Sequence, residues 1–167
     1  MLIQQKIGNI GSFEINNRKI DTLPLAWYET NKRILHKNTV SGIKISLKFL
    51  KEDPEFTQGD IIFYDKNTLV LIDIIPCDTI IIRPGSMYRM ASLCYEIGNK
   101  HLPLFINQDE VLVPYESPLF NWLTVAGFEP ARESRQLLHP LRTTTIAHSH
   151  NNSGGLFTKI MQLTKTP

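Results

Sequence analysis

Apolar and polar positions alternate with a period of two through the first half of the chain. Gly42-Ile-Lys-Ile-Ser-Leu-Lys-Phe places Ile43, Ile45, Leu47 and Phe49 on one face and Lys44, Ser46 and Lys48 on the other. That is the pattern of a half-buried strand. Ser41-Gly42 joins it to a preceding strand over 33–39. A second hairpin is predicted from Asp60 to Tyr64, turning through Asp65-Lys66-Asn67 into Leu69 to Ile75. Short polar turns with no helical stretch between strands imply an all-β unit over 1–76, a small antiparallel sandwich or open barrel. Trp27-Tyr28-Glu29, followed by Lys32-Arg33 and His36-Lys37, fits an alternating strand on a half-solvated sheet, with His36 a surface residue among lysines.

The pattern changes after Pro76-Cys77-Asp78. A strand over 79–83 is predicted, then a helix over about 86–97, strands over 102–106 and 110–114, a helix over about 117–126, and a last strand near 129–138. This β-α-β-β-α-β order is the split pattern of a ferredoxin-like unit over 77–138. In the first helix Met87, Met90, Ala91, Cys94 and Ile97 recur three or four apart and form a buried stripe, so Cys94 reads as a small core residue. Gly98 and Asn99, both tolerant of positive φ, are expected to stop that helix and leave His101 on a short turn. In the second helix Ser117-Pro118 reads as an N-cap followed by a first-turn proline. Leu119, Trp122, Leu123 and Ala126 form its core face, and Gly127 closes it. Asn107-Gln108-Asp109 reads as a hairpin turn. From His139 no periodic face remains, so a flexible tail is expected over 139–167, with only Leu156, Ile160 and Leu163 at helical spacing. The fold class is therefore α+β.

Composition narrows the function. The chain of 167 residues is 42% hydrophobic, enough for real cores, and eighteen basic against sixteen acidic residues leave a net charge of +2. Neither nucleic acid nor an anionic membrane is expected as a main partner. The start, Met-Leu-Ile-Gln-Gln-Lys, lacks the apolar core of a signal peptide, and no apolar run reaches membrane-spanning length, so a cytoplasmic protein is expected. Cys77 and Cys94 are the two cysteines and form no Cys-x-x-Cys, which leaves no readable disulfide framework or zinc ribbon. Nucleotide-binding Gly-x-x-x-x-Gly-Lys-(Ser/Thr), His-Glu-x-x-His and Gly-x-Ser-x-Gly are all absent from the sequence, so no enzyme and no catalytic residue is expected. Glu96, one turn before His101, would have to serve as base in a zinc hydrolase, and no motif supports it.

Three histidines remain as candidate metal ligands: His101 on its turn, and His148 with His150 on the tail. Neutral imidazole suits Ni(II), Cu(II) and Zn(II) alike, so residue type does not choose the metal. One ordered histidine cannot supply the four to six donors that such ions take. A twofold axis that brings two His101 side chains together doubles every ligand, and tail histidines could add the rest. A homodimer is therefore expected. His139, which precedes a proline, reads as structural or incidental.

Cys94-Tyr95-Glu96-Ile97-Gly98-Asn99-Lys100-His101 resembles the signature Tyr-x-(Ile/Leu)-Gly-Asn-Arg-His of the UreE family of urease accessory proteins. Gly59-Asp60-Ile61 and the His148-x-His150 pair extend the resemblance over roughly 1–150. Lys100 stands where Arg is usual, which keeps the charge and loses the planar fork. The resemblance implies a nickel metallochaperone that binds Ni(II) and delivers it to apo-urease, working with a UreG-type GTPase in the urease activation complex. It also implies a first half similar to the peptide-binding domain of J-protein co-chaperones. Some relatives carry further histidines where this chain reads Pro114-Tyr115-Glu116-Ser117, so few metals per dimer are expected. The alternative is a protein-interaction module that binds client peptides and has no metal role.

Overall fold

The computed structural model describes residues 1–51 and 53–141. The first half contains β1 (Leu2–Ile3), β2 (Gly8–Asn9), β3 (Lys19–Leu25), β4 (Ile34–Asn38), β5 (Lys44–Lys48), β6 (Asp60–Tyr64) and β7 (Thr68–Ile74). Alternation in β5 does what the sequence requires, since Ile45 and Leu47 are buried while Lys44 and Lys48 stay exposed. β4 pairs antiparallel with β5, and β1 joins the other edge in parallel. The second sheet has the order β2-β6-β7-β3. Ile45 and Leu47 from one sheet meet Leu23, Leu25, Ile62, Val70, Ile72 and Ile74 from the other, which makes a sandwich with one core.

The sandwich is not purely antiparallel as expected. β3 runs parallel to β7 along its whole length, from Lys19 opposite Thr68 to Leu25 opposite Ile74. Parallel neighbours need a long crossover, and here the chain visits the first sheet between β3 and β7. β3 escapes a periodicity reading because Asp21 and Pro24 interrupt it. As an edge strand it tolerates the proline. Buried Asp21 accepts hydrogen bonds from the amides of Thr22, at 2.9 Å, and Ser41, at 3.1 Å, which ties β3 to the β4–β5 turn.

The second half contains β8 (Cys77–Ile82), α1 (Met87–Asn99), β9 (Phe105–Asn107), β10 (Glu110–Pro114), α2 (Ser117–Val125) and β11 (Ala131–Arg135). Its sheet has the order β11-β8-β10-β9 with every pairing antiparallel, the ferredoxin-like arrangement that the element order predicts. Ile80, Ile82, Val111 and Val113 face the helices and pack on Leu93, Ile97, Leu119 and Leu123. Ile81 and Leu112 point the other way, where Phe105, Leu137 and Trp27 cover them. Burial on both faces is why three consecutive isoleucines sit in β8.

Trp27 overturns the strand expected around it. Trp27–Glu29 forms a short 3-10 turn, in which Glu29 Oε2 accepts from the Ala26 amide at 2.9 Å. The indole is half-buried and meets Phe105 edge-on, with ring centres 5.6 Å apart. It thus joins the first unit to the second, a role that no local pattern announces.

The buried stripe of α1 is rotated from the predicted one. Leu93 and Ile97 are its fully buried members and Met90 and Cys94 flank them, while Met87 and Ala91 lie exposed. Similarly, Ala126 is exposed beyond the end of α2, whose N-cap is Glu116 rather than Ser117. Finally, the chain expected to leave the fold at His139 is still held at Leu141. The Ile106 amide donates to the His139 carbonyl at 3.1 Å, and the Leu141 amide donates to the Leu104 carbonyl at 2.9 Å.

Candidate metal centre

α1 begins at Ser86, whose hydroxyl accepts from the Arg89 amide at 3.2 Å. Its other end differs from the expected Gly-Asn stop. Gly98 and Asn99 are still helical, and the left-handed residue is His101, at φ 55°. The His101 amide donates to the Gly98 carbonyl at 2.9 Å and the Leu102 amide donates to Ile97 at 3.4 Å. These two bonds define a Schellman cap, and half-buried Leu102 packs into the same core as Ile97, the apolar contact that completes such a cap.

α2 ends in the same way, with the Gly127 amide bonded to Thr124 and the Phe128 amide to Leu123. Gly127 takes the left-handed position there, at φ 77°. His101 therefore occupies a place that glycine fills at no steric cost, and a side chain with Cβ pays roughly 1–2 kcal/mol to hold it. Histidine is among the few non-glycine residues enriched in that region. The result is an exposed imidazole held by its backbone at the end of a packed helix.

Around it, Lys100 lays its ammonium over Trp122, 4.6 Å from the ring centre. Cys94 packs into the helix–sheet core, and burial pushes its thiol above the ordinary range. Half-buried against that core, Cys94 sits where its spacing predicts a core residue. Among the other histidines, His36 is exposed on β4 with Nδ1 2.9 Å from the Ser46 hydroxyl oxygen. His139 is exposed, and its backbone carbonyl holds the chain to β9. His148 and His150 lie outside the described residues. Among the described residues no group of three or more His, Cys, Asp or Glu side chains could hold a metal ion. No helix among them is long and apolar enough to cross a membrane.

Two features of this region are missed by sequence reasoning. On α1, Tyr88, Ala91 and Tyr95 lie opposite buried Leu93 and Ile97, and Met87 flanks them. Met87 is 86% exposed, Tyr88 83% and Tyr95 69%, an apolar face that none of the described residues covers. The seven-residue spacing of the two tyrosines is its trace in the sequence. The second feature is the pairing of 139–141 along the strand that follows His101.

The family model for the N-terminal domain of UreE urease accessory proteins matches residues 3–74, and the model for the C-terminal domain matches 78–154. The chain belongs to the UreE family. A UreE urease accessory protein from Flavobacterium johnsoniae is 41% identical over 165 residues, covering 99% of this chain and 100% of that one. One from Actinobacillus pleuropneumoniae is 38% identical over 148 residues, 86% of this chain and 79% of its own. One from Acetivibrio thermocellus is 33% identical over 153 residues, 92% of this chain and 99% of its own. In UreE terms, the N-terminal match falls on the β-sandwich. The C-terminal match takes in the ferredoxin-like unit, His101 and the sequence through His150.

Proposed function

We propose that this UreE chain is a nickel metallochaperone, which binds Ni(II) as cargo and hands it to apo-urease during assembly of the urease active site. The observation that carries this reading is His101, an exposed imidazole fixed in a glycine's backbone position where the family signature falls. One such ligand per chain cannot satisfy Ni(II). The uncovered face of Met87, Tyr88 and Tyr95 on the same helix supports a homodimer, in which α1 of one chain packs against α1 of its partner and the two His101 converge. Zn(II) and Cu(II) fit the same donors.

His148 and His150 complete the site in this reading. Residues 139–141 run antiparallel to the strand after His101, with Leu141 at the end nearer His101 in sequence. His148 is seven residues further on, a reach of up to about 23 Å. His101 is three residues from the Leu104 anchor, about 10 Å at most. A site completed by ligands from a separate stretch of chain suits a carrier, which has to release its cargo. The units then divide the work: 1–76 docks protein partners, 77–138 dimerises and holds metal, and 139–167 supplies further histidines. The cleft of about 320 Å³ between Trp27, Tyr28 and Phe56 of the first unit and Pro103, Phe105 and Leu138 of the second supports docking where the two units meet. The partners are a UreG-type GTPase and the apo-urease complex, in the cytoplasm, with GTP hydrolysis supplied by the GTPase.

Calorimetric titration with Ni(II) tests the proposal. His101→Ala is expected to lose the tightest site, and an unchanged affinity would remove His101 as a ligand. Imidazole must be neutral to bind metal, so affinity should also weaken as pH falls below about 6. A flat profile between about pH 5 and 8 would contradict histidine ligation.

A further inference from the structure

The last turn of α1 is made of residues that hold a helix poorly. Gly98 and Asn99 are both exposed and both weak helix formers. A Cβ built on Gly98 would meet nothing within 4 Å, so no close approach explains the glycine. Between buried Ile97 and half-buried Leu102 the turn lacks an apolar anchor of its own. The His101 cap therefore sits on a segment inclined to fray. Lys100 is the residue that crosses from this turn to the neighbouring helix, where its ammonium lies 4.6 Å from the ring centre of Trp122. Trp122 is half-buried and packed into the core shared by both helices and the sheet, so it is a fixed platform.

We propose that Lys100 is a positioning residue for His101: stacked on Trp122, it clamps the end of α1 to α2 and holds the imidazole in its left-handed cap. The proposal rests on the reading of His101 as a nickel ligand. It has a second consequence, because a cation adjacent in sequence to a ligand would oppose a bound dication, and stacking fixes that charge on the indole.

The two effects of removing Lys100 have opposite signs, which makes the test decisive. If only charge matters, Lys100→Met binds Ni(II) more tightly. If the clamp matters, it binds about two- to fivefold more weakly, the factor that an exposed cation–π contact supplies. Lys100→Arg should restore native affinity, since a guanidinium also stacks on an aromatic face. Amide hydrogen exchange on the metal-free full chain gives a readout independent of nickel. The His101 and Leu102 amides should exchange about two- to fivefold faster in Lys100→Met and at the native rate in Lys100→Arg. Trp122→Phe keeps an aromatic platform and should fall between them. Native or tighter nickel binding by Lys100→Met, or an arginine variant as weak as the methionine one, overturns the proposal. Retention of the tight site by His101→Ala would instead sink the reading of the metal centre, while the exchange rates would still report on the clamp.

Discussion

His101 stands where the second helix of the same domain uses Gly127, and the two caps share their hydrogen-bond pattern. The difference between them is a side chain placed in backbone space that resists side chains. Asp60, in the Gly59-Asp60-Ile61 motif, is a different kind of residue. It is buried and accepts from the Thr57 amide at 2.8 Å, the Thr57 hydroxyl at 2.9 Å, Asn9 Nδ2 at 3.0 Å and Lys6 Nζ at 3.2 Å. Burial alone would raise its pKa, but the bonds from Asn9, Thr57 and Lys6 outweigh it and hold the carboxyl below its ordinary range. Gly59 beside it takes φ 78°, and a Cβ there would come within 2.7 Å of Ile10 Cγ2. The motif is thus structural, a knot between the β2 strand and the β6 entry. Because the folded pKa is depressed, Asp60 contributes stability that is present above about pH 4 and lost as pH falls through the folded value. Asp60→Asn should therefore lower stability at pH 7 by about 1–3 kcal/mol and flatten the acid limb of a stability–pH curve. An acid limb identical to the native one would show that another carboxylate carries it.

At the scale of elements, the joint between the two units is a short turn rather than a strand. Trp27 meets Phe105 of β9, Leu138 packs against the sandwich core, and Gln136 Nε2 donates to the Ile74 carbonyl at 2.7 Å. One contact therefore grips the strand that follows His101, and the others grip the root of the tail. Trp27→Ala should cost about 2–4 kcal/mol, somewhat less than a fully buried tryptophan. It should also split one unfolding transition into two as the units lose their coupling. A single transition with an unmoved midpoint would mean that Leu138, Gln136 and the β8 connection couple the units without Trp27.

At the scale of the whole molecule, the proposed nickel site is unfinished in a single chain. His101, an aromatic face on the same helix that no described residue covers, and the pairing of 139–141 with the strand after His101 fit the proposed symmetric pair. Tyr95→Glu puts a charge into that face without touching the core. It should yield monomers in analytical ultracentrifugation and lose the tight nickel site together with the dimer. Monomers that still bind Ni(II) tightly would separate the site from the symmetry.

Much of this was legible in the order of residues alone. Strand alternation in β5, the β-α-β-β-α-β succession and the position of His101 just past a helix are local patterns, set by side chains that repeat at the period of one element. Sequence placed His101, but it placed the left-handed turn at Gly98-Asn99, because propensity ranks glycine and asparagine first there. The apolar contact between Ile97 and Leu102 decided otherwise. The parallel pairing of β3 with β7, the outward rotation of Met87 and the union of Trp27 with Phe105 were likewise left to the tertiary structure. Each depends on which surfaces meet across a long stretch of chain, and that is settled by the burial of whole faces, which no window of neighbouring residues contains.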